Sequence, residues 1–242
     1  MTEALKIAQE GRLLRVTCGR EDCGVTDSMA ATLAETLLKA HETSDAVLLT
    51  SAGADFCTGR VRDVPGPPSP EAYSRRPEYD GIFNSYKAIR AAQVPVIAAL
   101  RGRVMGYGTA VAALCDVSFA ADSATFNIPE ITHNVMPTMV MSALYDRMNR
   151  NAILWMAYSA EFISAQRALE YGIVSNVVPE AALAEATERF CQVVLSRPRP
   201  AILGLKEYLR SAPRMDDVGA VDYARSLHSL VNTAAAMKKP AH

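Results

Sequence analysis

The sequence lacks the marks of a membrane-spanning, nucleic-acid-binding or disulfide-held protein. No run of about 18 or more apolar residues occurs in it, so nothing reads as a transmembrane helix. The first residues, MTEALKIAQEGRLLRV, mix charges and lack the apolar centre of a signal peptide. No excess of either charge is present: 25 Lys and Arg face 26 Asp and Glu, for a net charge of -1. A nucleic-acid surface would be clearly basic, so neither a nucleic acid nor a membrane is expected as a partner. Cysteine is sparse: Cys18, Cys23, Cys57, Cys115 and Cys191 are an odd number and widely scattered. That fits a reducing compartment better than a disulfide framework, and the protein is expected in the cytoplasm. Cys18 and Cys23 have no second pair or nearby histidine to complete four ligands, so no metal site is expected.

What is present is core-forming material. Half of the 242 residues are hydrophobic, enough for one domain with a helical appendage. Leu13 to Thr17, Ala46 to Thr50, Val96 to Leu100 and Val117 to Ala120 read as strands. The run at Ala46 is continuously apolar, as in a strand buried on both faces. Between the first two lies a helix capped by Asp27, with Met29, Leu33 and Leu37 four residues apart on one face. Strands alternating with helices predict an α/β fold with parallel pairing. Prolines at 65–70 read as a loop, either a lid or a plain surface connection. After Arg150 the chain reads as nearly all helical, with helices over Ala182–Ser196, Arg199–Ser211 and Met215–Met237. In the last, Val218, Val221, Ala224, Leu227 and Val231 form an apolar stripe suited to packing on another subunit. The expected division is a core over 1–195 and a C-terminal helical region over 196–242.

Two segments leave buried strands and enter glycine turns. The first runs from Ser51 to Arg60 through Phe56, Cys57, Thr58 and Gly59. The second runs from Ala99 to Asp116 through Gly102, Gly106, Tyr107 and Gly108 into a small-residue helix over about Thr109 to Leu114. In α/β folds ligands gather at the carboxyl ends of strands. Free N–H groups at a helix start favour a developing negative charge. Taken alone, the first segment reads more simply as an ordinary strand-to-helix turn. The glycine spacing is not that of a dinucleotide fingerprint, and no Gly-Lys-Ser/Thr follows to make a phosphate loop.

These segments resemble the two signature regions of the crotonase (enoyl-CoA hydratase/isomerase) family. The first is similar to its G-x-x-F-C/S-A-G turn and the second to its G-x-x-x-G-G-G turn with the following helix and Cys-Asp. Ala124, Phe126, Pro129 and Glu130 match its A-x-F-x-x-P-E segment, and Ala165 to Val174 fits as well. The resemblance implies an α/β fold, a crotonase-like ββα spiral core with a C-terminal helical trimerisation region. It implies an acyl-CoA thioester substrate, with coenzyme A as part of the substrate and no separate cofactor. Homotrimers or hexamers are implied too.

By that resemblance the backbone N–H groups of Thr58 and Tyr107 form an oxyanion hole, and Glu130 is the proton-carrying carboxylate. The first carboxylate of two-glutamate hydratases falls on Ala110, which cannot move a proton, and the second on Glu130. A single carboxylate suits double-bond isomerisation better than hydration. The family's glycine-rich turn after the P-E pair is replaced by His133 and Asn134. Asn134 can take the left-handed conformation, and His133, an imidazole that titrates near neutrality, can serve as a second acid or base. Arg20, Arg60, Gly59 and Gly106 are the expected contacts for the coenzyme A moiety, with Arg62, Lys206 and Lys238–Lys239 as weaker candidates. Val61 stands where an acid is usual. Tyr86 reads as core or as a lining of the acyl site.

Overall fold

The computed structural model describes residues 5–63, 67 and 70–238. The chain opens with the antiparallel pair β1 (Leu5–Glu10) and β2 (Leu13–Cys18), followed by β3 (Val25–Thr26) and helix α1 (Asp27–Lys39). Next come β4 (Ala46–Ser51), β5 (Arg60–Val61), α2 (Asp80–Ala91), β6 (Val96–Leu100), β7 (Arg103–Met105), α3 (Tyr107–Leu114), β8 (Val117–Ala121) and β9 (Thr125–Asn127). The second half holds α4 (Thr138–Leu144), α5 (Arg150–Ser159), β10 (Ile163–Ser164), α6 (Ala165–Glu170), β11 (Asn176–Val178), α7 (Leu183–Leu195), α8 (Arg199–Ser211) and α9 (Asp217–Asn232).

A six-stranded sheet in the order β1-β2-β4-β6-β8-β11 carries the core, and every pair after the first is parallel. Between successive strands of this sheet, the chain steps out to small satellite pairs, β3 with β5 and β7 with β9, before a helix or turn returns it. This is the ββα spiral that the motifs implied. β4 and β6 are buried along nearly their whole length, as continuous aliphatic runs covered on both faces must be. Met29, Leu33 and Leu37 all face the core, and full burial of Leu37 alone contributes about 2 kcal/mol.

Two local expectations change, and a third falls largely outside the described residues. The cap of α1 is Thr26, whose hydroxyl accepts the Met29 N–H at 3.2 Å, while Asp27 is the first helical residue. The region after Arg150 is not purely helical: β10 and β11 return to the sheets, β11 at the edge of the main one. The proline loop at 65–70 lies, apart from Pro67 and Pro70, outside the described residues.

Helix α8 is tied to the core by charge. Arg199, at the start of α8, and Arg12 both pair with Asp45, a carboxylate only 1% exposed. The Arg12 contact, 2.5 Å to Oδ2, is an ion pair without hydrogen-bond alignment. Further along α8, Lys206 reaches Asp116 at 2.5 Å and the Val94 carbonyl at 2.9 Å. The outer sides of α8 and α9 remain apolar and open, with Leu205, Leu209, Val218, Val221 and Leu230 exposed.

Candidate active site

The two glycine turns leave from one short parallel pairing. Cys57 donates to the Arg103 carbonyl at 3.2 Å and accepts from Met105 at 2.8 Å, bridging Cys57 to Val104. Beyond the bridge, one chain continues to Gly59 and Arg60 and the other to Gly106 and Tyr107. A Cβ on Gly108 would stand 2.6 Å from that of Cys57, so glycine lets the start of α3 close onto the first turn.

Thr58 is not a free donor. Its N–H donates to the Cys23 carbonyl at 3.0 Å and its hydroxyl to the Asp22 carbonyl at 2.7 Å. This corrects the expectation that Thr58 supplies half of an oxyanion hole, because both its polar hydrogens hold the turn against residues 22–23. The next residue but one is placed differently. The Gly59 carbonyl accepts from Val25 at 2.9 Å, and Arg60 pairs with Val25. In a parallel ladder the groups facing the partner are then the Gly59 carbonyl and the Val61 N–H, so the Arg60 N–H points to the opposite edge. Gly59 makes the approach possible with φ +113, a conformation that side chains rarely adopt.

Tyr107 opens α3, so its N–H has no acceptor within the helix. Gly106 before it has φ 48 and ψ -106, again a glycine conformation. The Tyr107 side chain turns away from solvent: its ring stacks on Tyr86 at 5.4 Å and its hydroxyl donates to Ser85 Oγ at 3.0 Å. Thr109 fastens the helix start by donating to the Val104 and Asn127 carbonyls at 2.8 and 2.9 Å. An apolar cavity of ≈ 50 Å³ lies between α1 and the sheet, bounded by Cys57, Tyr107 and Val111.

Glu130 follows β9 and begins a single 3-10 turn, Glu130–His133. A Cβ on Gly106 would stand 2.5 Å from its Oε1, so the carboxylate lies directly over the second glycine turn. Its Oε2 is buried and has no hydrogen-bond partner among the described residues. Burial raises its pKa above the ordinary 4.5, against the opposing pull of its own backbone N–H and of nearby His133. His133 itself is exposed at the far end of the turn. Asn134 closes the turn with φ 56 and ψ 32, the left-handed conformation expected of it. Ala110 is fully buried and gives no titratable group.

Most of the expected basic contacts are already engaged. Arg60 makes a bidentate pair with Asp27 at 2.7 and 2.9 Å, donates to the Glu78 carbonyl and lies over the Tyr79 ring. Its guanidinium therefore braces the start of α1 and is not a free cation for a phosphate. Lys206 is likewise a buried structural cation. Arg20 pairs with Asp22 at 2.9 and 2.5 Å and is half-buried, and Arg62 pairs with Glu78 at 3.7 Å. Lys239 lies outside the described residues. Asp63, two positions beyond Val61, accepts from the Asp27 and Ser28 N–H groups and so holds residues 60–63 against α1. Sequence reasoning passed over the Arg60 N–H, since the direction of an N–H follows from strand pairing and not from residue type.

The sequence-family profile described as enoyl-CoA hydratase/isomerase matches residues 22–241. Human enoyl-CoA hydratase domain-containing protein 3, mitochondrial, is 35% identical over 147 residues, covering 60% of this chain and 48% of the relative. The chain thus matches about half the length of that relative. Carnitinyl-CoA dehydratase of Escherichia coli K12 is 28% identical over 233 residues, 93% of this chain and 87% of the relative. Among solved structures, enoyl-CoA hydratase of Mycobacterium smegmatis superposes with a TM-score of 0.89 at 25% identity, over 97% of this chain and 93% of that one. The fold, the ordered motifs and the profile match over nearly the whole sequence agree: the chain belongs to the enoyl-CoA hydratase/isomerase family.

Proposed function

We propose that the protein acts on acyl-CoA thioesters, stabilising a thioester enolate with two main-chain donors and moving one proton with Glu130, and that its reaction is enoyl-CoA isomerisation. The observation that carries this reading is the lone carboxylate over Gly106, with one oxygen buried and unpartnered and the position of a second acid filled by Ala110. The donors are the N–H groups of Arg60 and Tyr107. They leave the same Cys57–Val104 pairing, and neither is used by the ladder or helix it belongs to. A pair of preorganised donors aimed at a developing oxyanion is worth about 3–4 kcal/mol per donor.

The steps balance on one proton. The Glu130 carboxylate takes a proton from one carbon of the acyl chain, and the C–H electrons move into the thioester, whose oxygen becomes the enolate held by the two N–H groups. The carboxylic acid then returns the proton to a second carbon, and the double bond has shifted. Burial, which raises the Glu130 pKa, makes the carboxylate a stronger base for the first half and still a competent acid for the second. Gly59 and Gly106 let the thioester come close to the two turns, and Arg20 is the remaining basic contact for the coenzyme A moiety.

Hydration or dehydration is the second reading, favoured by the alignment with carnitinyl-CoA dehydratase over 93% of the chain. It needs a further proton-handling group, which Ala110 does not supply. Thioester hydrolysis is a third reading, prompted by His133 in place of the family's glycine-rich turn; His133 is exposed at the far end of the turn that Glu130 begins. The exposed apolar sides of α8 and α9 support self-association as a trimer or hexamer; sedimentation giving a stable monomer would remove that part.

The test is mass spectrometry of 2-enoyl-, 3-enoyl- and 3-hydroxyacyl-CoA in deuterated water, with wild type beside Glu130→Gln. Bond migration with deuterium uptake, lost in the variant, is the expected result. Water gain or loss would move the assignment to hydratase, and binding without mass change would leave an acyl-CoA binder.

A further inference from the structure

Thr109, the third residue of α3, is fully buried, and its hydroxyl has two acceptors that both lie outside its own helix. A threonine hydroxyl within a helix ordinarily donates to a carbonyl three or four residues back, here that of Gly106 or Met105. The Thr109 hydroxyl passes both. Its proton is shared between the Val104 carbonyl at 2.8 Å and the Asn127 carbonyl at 2.9 Å. These two carbonyls belong to β7 and β9 and stand at the end of their parallel pairing, where Val104 faces Phe126 and Met105 faces Asn127. The Asn127 carbonyl also accepts the Gly106 N–H at 3.0 Å. Gly106 has no side chain with which to cap α3, so Thr109 is what ties the first turn of the helix to both strands.

From this point the two chains separate. Three residues beyond Val104 stands Tyr107, whose N–H opens α3 without an acceptor in the helix. Three residues beyond Asn127 stands Glu130. One hydroxyl therefore joins the two strands just before they part toward the donor and the carboxylate. The spacing it maintains leaves little room, since a Cβ on Gly106 would stand 2.5 Å from Glu130 Oε1. Resting on the acyl-thioester reading above, we propose that Thr109 is a positioning residue of the reaction: its hydroxyl holds the Tyr107 N–H and the Glu130 carboxylate in a fixed relation, so that the donor meets the thioester oxygen while the carboxylate meets the carbon that gives up its proton. It acts only through the main chain of Val104 and Asn127. Both contacts it aligns grow stronger as the enolate forms, so their loss falls on kcat and spares substrate binding.

The experiment measures kcat and KM of wild type, Thr109→Val and Thr109→Ser with 2-hexenoyl-, 3-hexenoyl- and 3-hydroxyhexanoyl-CoA, at a temperature where circular dichroism shows each protein folded. Valine keeps the shape of threonine without its hydroxyl, and serine keeps the hydroxyl without the methyl group. Thr109→Val is expected to lower kcat about 100-fold while KM stays within about twofold of wild type. Thr109→Ser is expected to recover kcat to within about fivefold of wild type. A folded Thr109→Val with wild-type kcat, whatever its melting temperature, would overturn the proposal and leave the acyl-thioester reading standing. So would a rise in KM at constant kcat, or an equal loss of kcat in the valine and serine variants, which would assign the effect to packing. Should Thr109→Val not fold, Thr109→Ala beside Thr109→Ser decides, because those two differ only in the hydroxyl, and equal kcat in both overturns the proposal. Wild type that turns over none of the three thioesters would remove the acyl-thioester reading and this assignment with it.

Discussion

A methyl group on Gly106 would stand 2.5 Å from Glu130 Oε1, so the shape of one glycine determines where the Glu130 carboxylate can sit. Gly106→Ala must push the carboxylate aside and also force a side chain into φ 48, ψ -106. A stability loss of about 1–3 kcal/mol is expected from the backbone alone. Proton exchange into bound thioester should fall about 100-fold or more, since small misplacements of a reacting group are amplified in rate. Thermal melts and deuterium exchange at the same temperature separate the two effects.

The raised pKa of Glu130 gives a signed pH dependence. The folded state holds the proton more tightly than the unfolded chain, so ionising Glu130 opposes folding. This penalty is absent below the unfolded value near 4.5, grows as pH rises toward the folded value and is constant above it. Glu130→Gln removes it. The variant should therefore be more stable than wild type at pH 7–8, with the difference shrinking as pH is lowered to about 4. Urea melts at the two pH values read this directly, and a difference independent of pH would sink it.

If the Arg60 N–H is an oxyanion donor, the main chain and the side chain at this position can be separated. Arg60→Ala loses the pair with Asp27 but keeps the N–H, and should act chiefly on stability. Arg60→Pro loses both. Its missing N–H faces away from β3, so the pairing with Val25 survives. The proline variant is expected to turn over about 100-fold more slowly than the alanine variant, with little difference in thioester affinity.

Lys206 separates a structural cation from a phosphate ligand. Lys206→Met leaves Asp116 beside the Val96 N–H without its charged partner and should cost about 2–4 kcal/mol of stability. Affinity for coenzyme A should not change. A selective loss of that affinity in a stably folded variant would restore Lys206 to the binding site.

Burial pushes the thiols of Cys57 and Cys115 up to about 12. Neither should alkylate in the native protein at pH 8, and both should react promptly once urea unfolds the chain. Peptide mapping after a short iodoacetamide pulse checks this.

The strands of the core were legible because their burial is written as continuous aliphatic runs. The bounds Val96–Leu100 and Arg199–Ser211 match the residues that signalled them. Strand β1 was not foreseen: most of it is exposed, and it has only a pairing with β2 to define it. The two-residue strands β3, β5 and β10 are too short for any period to register, and they exist because a neighbour pairs with them. Glu130, Gly106 and Asn134 could be placed from residue type, since a carboxylate, a glycine turn and a left-handed asparagine each carry a local signal. Thr58 was misjudged for the opposite reason. Whether an N–H is free depends on a carbonyl 35 residues earlier, Cys23, to which nothing in the local sequence points.

The carboxylate of Asp45 has a consequence for how the molecule comes apart. It receives Arg12 from the beginning of the chain and Arg199 from the first turn of α8, and it is almost wholly shielded from solvent. If α8 and α9 peeled away alone, that charge would lose a partner while still inside the core, and Lys206 would abandon Asp116 at the same moment. The helical tail, despite its open apolar flank, therefore cannot fray cheaply. Hydrogen exchange in α8 should report opening energies close to those of the central strands, so that the beginning and the end of the chain melt as a single cooperative unit.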